Sequence, residues 1–256
     1  MRLIASAIVR NEAHRYLRLW LEHLLEFVDE VRVVDDASTD ETAEILNEFQ
    51  GVSVLTRTEP GFYAHEGQAR QELLSYTLLG RPSHILAIDG DEFVTDGLHL
   101  RNLCQRETEA QGFHVCMEEV WGATDDHYKV RVDGHWRPYS SPFLWRVPHN
   151  ARALRIQDKK LACGRMPLRN RRGVLQSGVS FLHFGWANQA ERQARFDRYA
   201  LHDGGEFHAS AHLNSIMWDD ARVRTTECPW PAGLEHLKDR LVERANRSPD
   251  RVIAET

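Results

Sequence analysis

Three carboxylates fall within four residues at Asp89-Gly90-Asp91-Glu92, directly after the apolar run His84-Ile85-Leu86-Ala87-Ile88. A short apolar run bounded in this way reads as a buried strand. In extended backbone, residues i and i+2 share a face, so Asp89 and Asp91 are expected to point the same way. Gly90 between them permits a tight turn and the close approach of a ligand. Two carboxylates on one face repel each other unless a cation separates them. Hard divalent ions such as Mg²⁺ or Mn²⁺ take oxygen ligands of this kind while bridging to substrate phosphates. For a D-x-D pair taken alone, the alternative is a solvated acidic turn.

The elements that must hold these residues follow from periodicity. Residues 3–9 form an uncharged, mostly apolar strand candidate that ends at Arg10-Asn11-Glu12. Leu17, Trp20, Leu21, Leu24, Leu25 and Val28 follow an i, i+3, i+4, i+7 series, which predicts an amphipathic helix over 13–28. A strand over 31–34 runs into Asp35-Asp36, and Thr39 or Asp40 is the expected cap of a helix reaching residue 49. A strand over 52–55, a polar loop over 57–67 and a helix over 68–79, ended by Gly80 and Pro82, complete the series. Strands alternating with helices predict a parallel, doubly wound sheet whose ligands bind beyond the carboxyl ends of the strands. Three such ends are polar here: Arg10-Asn11-Glu12, Asp35-Asp36 and Asp89-Gly90-Asp91. Together they predict one shared crevice. Asp36 is then a ligand-binding residue or a helix cap, and Ser38, Thr39 and Asp40 are available to take over capping.

Beyond residue 96 a helix is expected over 98–110 and a strand over 113–120. Short apolar runs at 143–145 and 179–182 read as further strands among long loops. The basic run 165–172 reads as a loop, residues 188–201 as a charged helix, and 234–246 as an amphipathic helix with Leu234, Leu237, Leu241 and Ala245 on one face. The net charge of −6 without a basic block argues against nucleic acid as a partner. No apolar run approaches the roughly 20 residues of a membrane span, and the first residues are too short for a signal peptide. Cys104, Cys116, Cys163 and Cys228 form no C-x-x-C pair and read as free thiols of a cytoplasmic protein.

The series Val9-Arg10-Asn11-Glu12, Val33-Val34-Asp35-Asp36-Ala37-Ser38-Thr39-Asp40-Glu41-Thr42, Gly67-x-x-Arg70 and Ile88-Asp89-Gly90-Asp91 resembles the family 2 glycosyltransferases of GT-A fold over roughly residues 3–95. Leu182-His183-Phe184-Gly185-Trp186 is similar to a late His-aromatic-Gly-aromatic segment of that group. The resemblance implies a Rossmann-like mixed α/β sheet flanked by helices. It implies transfer of a sugar from a nucleoside-diphosphate donor, a UDP- or GDP-sugar, with Mn²⁺ or Mg²⁺. Val9, Arg10, Asn11 and Glu12 would line the base and ribose, Asp36 would bind the base, and Arg70 would lie near the diphosphate. Asp89 and Gly90 would sit by the ribose and metal, Asp91 would bind the metal, and His183 would complete its shell or pack between aromatics.

The implied organisation is a catalytic domain over 1–190, with a nucleotide-binding half (1–112) and an acceptor half (113–190), followed by a helical extension over 191–256. A general base for the acceptor hydroxyl is expected among carboxylates. Glu119, beside Glu118, and Asp158 are the candidates, each of them otherwise a surface carboxylate. Trp121, Trp186 and Trp230 are candidate sugar-stacking faces or core residues. Two other readings fit a nucleotide-and-metal crevice: a nucleotidyltransferase acting on a sugar phosphate, and a nucleotide-sugar-binding protein without turnover.

Overall fold

The computed structural model describes residues 1–167, 172–203 and 210–247. Strands and helices alternate at first: β1 (Leu3–Val9), α1 (Leu17–Leu25), β2 (Glu30–Asp35), α2 (Thr42–Glu48), β3 (Val52–Thr56), α3 (Glu66–Leu79) and β4 (His84–Ala87). Then follow β5 (Glu92–Val94), α4 (Gly97–Arg106), β6 (Gly112–Ala123), β7 (His127–Arg131), β8 (Tyr139–Arg146) and β9 (Val174–His183). The chain continues through α5 (Gln189–His202), α6 (Ser210–Ile216), β10 (Thr225–Pro229) and α7 (Lys238–Ala245). It divides into two compact units. One comprises Met1–Gly90, Gly97–Val115 and Ser140–Val179; the other comprises Asp91–Asp96, Cys116–Tyr139 and Ser180–Thr256.

In the first unit the strand order is β3-β2-β1-β4-β8. The first four strands are parallel, with Ala7 opposite Val33 and Ala5 opposite Leu86, and β8 adds to β4 antiparallel, with Trp145 opposite Ile85. Both faces of β1 are covered, so its sequence is apolar but for the buried Ser6 and shows no alternation. Helix α1 buries Leu17, Trp20, Leu21 and Leu24, each worth about 1.5–3 kcal/mol relative to exposure. This helix is shorter than its periodicity predicts. Its expected first turn is drawn elsewhere, because the Glu12 and Ala13 amides donate to Thr42 Oγ1 and Ala13 also donates to Asp40. Helix α2 starts at Thr42 and not at residue 39 or 40 for the same reason: Thr39 is tied to Asn11 and Asp40 accepts from the Thr42 amide.

Helix α3 starts two residues earlier than expected. The Glu66 and Gly67 amides donate to the Lys160 and Lys159 carbonyls, the Gln68 amide to His65 Nδ1 and the Ala69 amide to the His65 carbonyl. The Glu66, Gly67 and Gln68 amides that the helix start leaves open are thereby satisfied, two of them by a segment some 90 residues away in sequence. A Cβ on Gly67 would lie 2.6 Å from the Gln157 carbonyl oxygen and 2.8 Å from the Lys159 nitrogen, so this contact requires glycine. Beneath it, Leu74, Ile85, Trp145, Leu154, Ile156, Cys163 and Met166 form a core cluster.

In the second unit β10, β7 and β6 form an antiparallel ribbon, with an irregularity between Val120 and Gly122. Strand β5 pairs with β9 in the register Glu92 to His183 and Phe93 to Leu182. Trp121, Trp136, Trp186, Leu213 and Ile216 form a core cluster, and the fully buried Arg131 packs on two of its tryptophans. The Arg131 guanidinium lies over Trp121 and Trp136 at 4.4 and 4.6 Å, donates to Asp133, and donates to the Ser215 carbonyl. Strands β7 and β10 and helix α6 have no counterpart in the periodicity reading, because they gain their order from this aromatic and cationic packing. The tail is a 3-10 turn over Ala232–Leu237 followed by α7, with Leu234, Leu237, Leu241 and Ala245 all buried as their spacing predicts.

None of the four cysteines is joined in a disulfide. No helix among the described residues is long and apolar enough to cross a membrane.

Candidate functional site

The polar strand ends of the first unit meet as expected. The Asp36 amide donates to the Val9 carbonyl, Asn11 N–H donates to Ser38 Oγ, and Glu12 N–H donates to Thr42 Oγ1. A Cβ on Gly90 would stand 3.4 Å from Val9 Cγ1 and 3.9 Å from Glu12, so the end of β4 lies against the end of β1. Asn11 and Ala37 both adopt left-handed backbone, with φ of 54° and 58°. Asparagine tolerates this, but an alanine there costs about 1–2 kcal/mol and persists only where its surroundings hold it. Val9 is buried and Arg10 is exposed.

Asp36 is 1% exposed. Its Oδ1 accepts from Arg57 Nη1 and the Gly61 amide, both at 2.8 Å, and its Oδ2 accepts from the Phe62 amide at 3.0 Å. Arg57 is also paired with Glu72. Asp36 thus anchors the 57–62 loop and does not cap α2. Its neighbour Asp35 uses one oxygen to accept from Ser38 N–H and Oγ–H, and its buried Oδ2 has no partner.

Arg70 projects from α3 into a buried ionic group. Its Nε donates to Glu66 at 2.6 Å, and its Nη1 stands 3.9 Å from Asp89. Asp89 also accepts from Arg165 Nη2 at 2.6 Å, and the Arg165 guanidinium lies over Phe143. Of the basic run 165–172, residues 168–171 lie outside the described residues, while Arg165 faces an acid inside the fold. Asp158 is 81% exposed and lies 3.4 Å from His65 Nε2.

Asp91, His183, Glu119 and Arg195 gather within the second unit. Asp91 Oδ1 is 3.4 Å from His183 Nε2, and Glu119 Oε2 is 2.6 Å from His183 Nδ1. Arg195 of α5 donates to Asp91 Oδ2. The side chains of Asp91, His183 and Glu119 are only 4%, 10% and 12% exposed. Burial opposes the charged imidazole, yet Glu119 and Asp91 together push His183 up to about 10. Gly185 completes the group: a Cβ there would meet Arg195 and would lie 2.6 Å from Asp91 Oδ2. This close approach explains the glycine in His183-Phe184-Gly185-Trp186. Trp186 is buried against Trp136 and lies edge-on to the His183 ring. Trp230 stacks on Phe184 and donates to the Thr124 carbonyl. Glu118 accepts from Tyr128.

The donor set fits a divalent ion. A carboxylate oxygen and an imidazole nitrogen face each other in a buried setting, and the second imidazole nitrogen is held by a carboxylate, the usual support of a metal-bound histidine. Sequence reasoning missed Arg57, Glu66, Arg165 and Arg195. Arg165 lay inside a basic run that could have been weighed as a partner of the acids, whereas nothing in the sequence around Arg195 points to Asp91, 104 residues away.

Residues 7–117 match the family model described as Glycosyl transferase family 2. The chain is 30% identical over 210 residues to the uncharacterized protein Rv3786c of Mycobacterium tuberculosis and to the uncharacterized protein Mb3815c of Mycobacterium bovis, covering 78% of this chain and 50% of each relative. It therefore spans about half the length of these curated relatives. Among solved structures, 4-diphosphocytidyl-2C-methyl-D-erythritol synthase aligns at a TM-score of 0.37 with 20% identity, covering 59% of this chain and 78% of that one. A Mycobacterium tuberculosis glucosyl-3-phosphoglycerate synthase aligns at 0.32 with 18% identity, covering 46% and 43%. Scores this low carry no argument about chemistry. The motif order of the strand ends and the mixed sheet that displays them agree with this match of residues 7–117 to glycosyl transferase family 2.

Proposed function

We propose that the chain is a metal-dependent glycosyltransferase that moves a sugar from a nucleoside-diphosphate sugar, a UDP- or GDP-sugar, to an acceptor hydroxyl. The observation that carries this reading is the buried pairing of Asp91 Oδ1 with His183 Nε2, together with the family 2 match upstream. Asp91 and His183 would hold Mn²⁺ or Mg²⁺. Such an ion, when bound, neutralises the charge that grows on the departing diphosphate. His183 must lose its proton to serve as a ligand, so binding of the ion would release one.

The remaining steps belong to side chains of this protein. Val9, Arg10, Asn11 and Glu12, with Asp36 and the 57–62 loop, would form the wall for base and ribose. Arg70 and Arg165, which pair with Glu66 and Asp89 here, would meet donor oxygens near Asp89 and Gly90. Arg195 holds Asp91 Oδ2, which leaves Oδ1 toward His183. Of the two base candidates, Asp158 is exposed beside His65, and Glu119 would have to release His183 before accepting a proton.

Calorimetry with UDP and GDP, with and without Mn²⁺, tests the proposal. Binding of one of them that strengthens with Mn²⁺, and its loss in the isosteric Asp91→Asn in a variant that still unfolds cooperatively, is the expected result. Asp91→Ala would also strip Arg195 and His183 of their buried partner and is expected to lose stability. No metal-dependent binding of either nucleotide sinks it.

A further inference from the structure

We propose that Glu119 is a positioning residue, which locks the His183 ring so that Nε2 is presented beside Asp91 for a divalent ion. This inference rests on the metal-dependent reading above.

The backbone already fixes where His183 starts. It is the last residue of β9, it lies opposite Glu92 in the β5–β9 register, and the next amide, that of Phe184, donates to the Asp91 carbonyl at 2.9 Å. What the backbone leaves open is rotation of the ring, a broad, roughly two-fold torsion. Glu119 closes it. Its Oε2 stands 2.6 Å from Nδ1, which assigns the Nδ1 proton to that bond and leaves Nε2 to face Asp91 Oδ1 at 3.4 Å. The edge-on contact with Trp186 limits the ring from the side.

Glu118 and Glu119 are adjacent on β6, and strand geometry sends them to opposite faces. Glu118 accepts from Tyr128, so only Glu119 reaches the histidine. A carboxylate–histidine–metal arrangement raises the basicity of the ligand and fixes its tautomer, and loss of the outer carboxylate commonly weakens metal binding 10–100-fold. This role separates Glu119 from that of a base. A base acts on the acceptor and its loss lowers turnover; a positioning residue acts through His183 and its loss lowers metal affinity.

Mn²⁺ is titrated into the full chain in the presence of UDP, followed by the electron-spin signal of free Mn²⁺ and by calorimetry. Glu119→Ala is expected to raise the Mn²⁺ dissociation constant about 10–100-fold, with Glu119→Gln, which keeps a neutral acceptor, in between. Glu118→Gln is expected to bind Mn²⁺ like the native chain. In a His183→Ala background, Glu119→Ala should add nothing, because its effect passes through the ring. If Glu119→Ala does not fold, the isosteric Gln variant and its own cycle with His183→Ala carry the test.

Native Mn²⁺ affinity in the Glu119 variants, while His183→Ala is impaired, overturns the proposal. So do fully additive losses in the double variant, or a fall in donor turnover at unchanged Mn²⁺ affinity. A native chain that binds no Mn²⁺ with or without UDP fails at the earlier step and removes the metal reading itself.

Discussion

Replacing Asp36 by alanine tests whether this buried carboxylate is first of all the anchor of the 57–62 loop. Three donors converge on it: Arg57 and the amides of Gly61 and Phe62, all within 3.0 Å. Hydrogen bonds to a charged group contribute about 1.5–3 kcal/mol each, and a buried donor left open costs about 1–3 kcal/mol. Arg57 keeps Glu72 after the substitution, so most of the loss falls on the two amides. Asp36→Ala should therefore destabilise the chain by about 3–4 kcal/mol, a large share of the roughly 5–15 kcal/mol typical of a folded domain. Asp36→Asn keeps one acceptor oxygen and turns a donor toward an amide, and should cost about half as much. Urea unfolding followed by tryptophan fluorescence measures the loss, with the slope expected to stay constant. Hydrogen exchange locates it, through faster exchange at Gly61 and Phe62. A loss below about 1 kcal/mol, with both amides still slow to exchange, would refute the anchor and leave the carboxylate to a ligand alone.

Three further substitutions probe other contacts. Gly67→Ala places a methyl against backbone that has no room to yield, and should cost about 1–3 kcal/mol while speeding proteolysis within residues 157–160. Gly185→Ala pushes Arg195 off Asp91 and should cost a similar amount in thermal unfolding while weakening Mn²⁺ binding. His84 is buried, and burial followed by the nearby Arg146 charge lowers it to about 4. The unfolded chain binds a proton near pH 6.5 that the native ring refuses. Stability should thus be fully present above that pH and fall between about 6.5 and 4, by about 2–3 kcal/mol once the polar part of the ring's surroundings is allowed for. His84→Gln should flatten that acid limb in urea unfolding at stepped pH.

Local patterns foretold the first unit well because its elements obey local rules. The helical series from Leu17 to Val28 and the apolar runs of β1, β2 and β4 declare their faces within a dozen residues, and the family motif lies along the same stretch. Element ends were less legible, since the caps come from afar: Thr42 serves Glu12, and Lys159 and Lys160 serve α3. The second unit hid more. Arg131 within tryptophans reads in sequence as a surface charge, and β7 and β10 are strands only because each completes the other. Asp36, Asp89, Asp91 and His183 were legible as candidates through their motifs. Arg57, Arg165 and Arg195 were not, because an arginine's partner is set by tertiary approach and leaves no spacing to read.

The start of α3 has a consequence for how the diphosphate of the proposed donor would be held. In glycine-rich phosphate loops, open amides at a helix start grip the anion directly and need no ion to do it. Here the amides of Glu66, Gly67, Gln68 and Ala69 already have protein acceptors. On the metal-dependent reading proposed above, a diphosphate would gain no grip from that helix and would be met by side chains and by a divalent ion. A chelator should then act as an off-switch for nucleotide capture. Mononucleotides that cannot bridge to an ion should pass unnoticed at concentrations where the diphosphate is held.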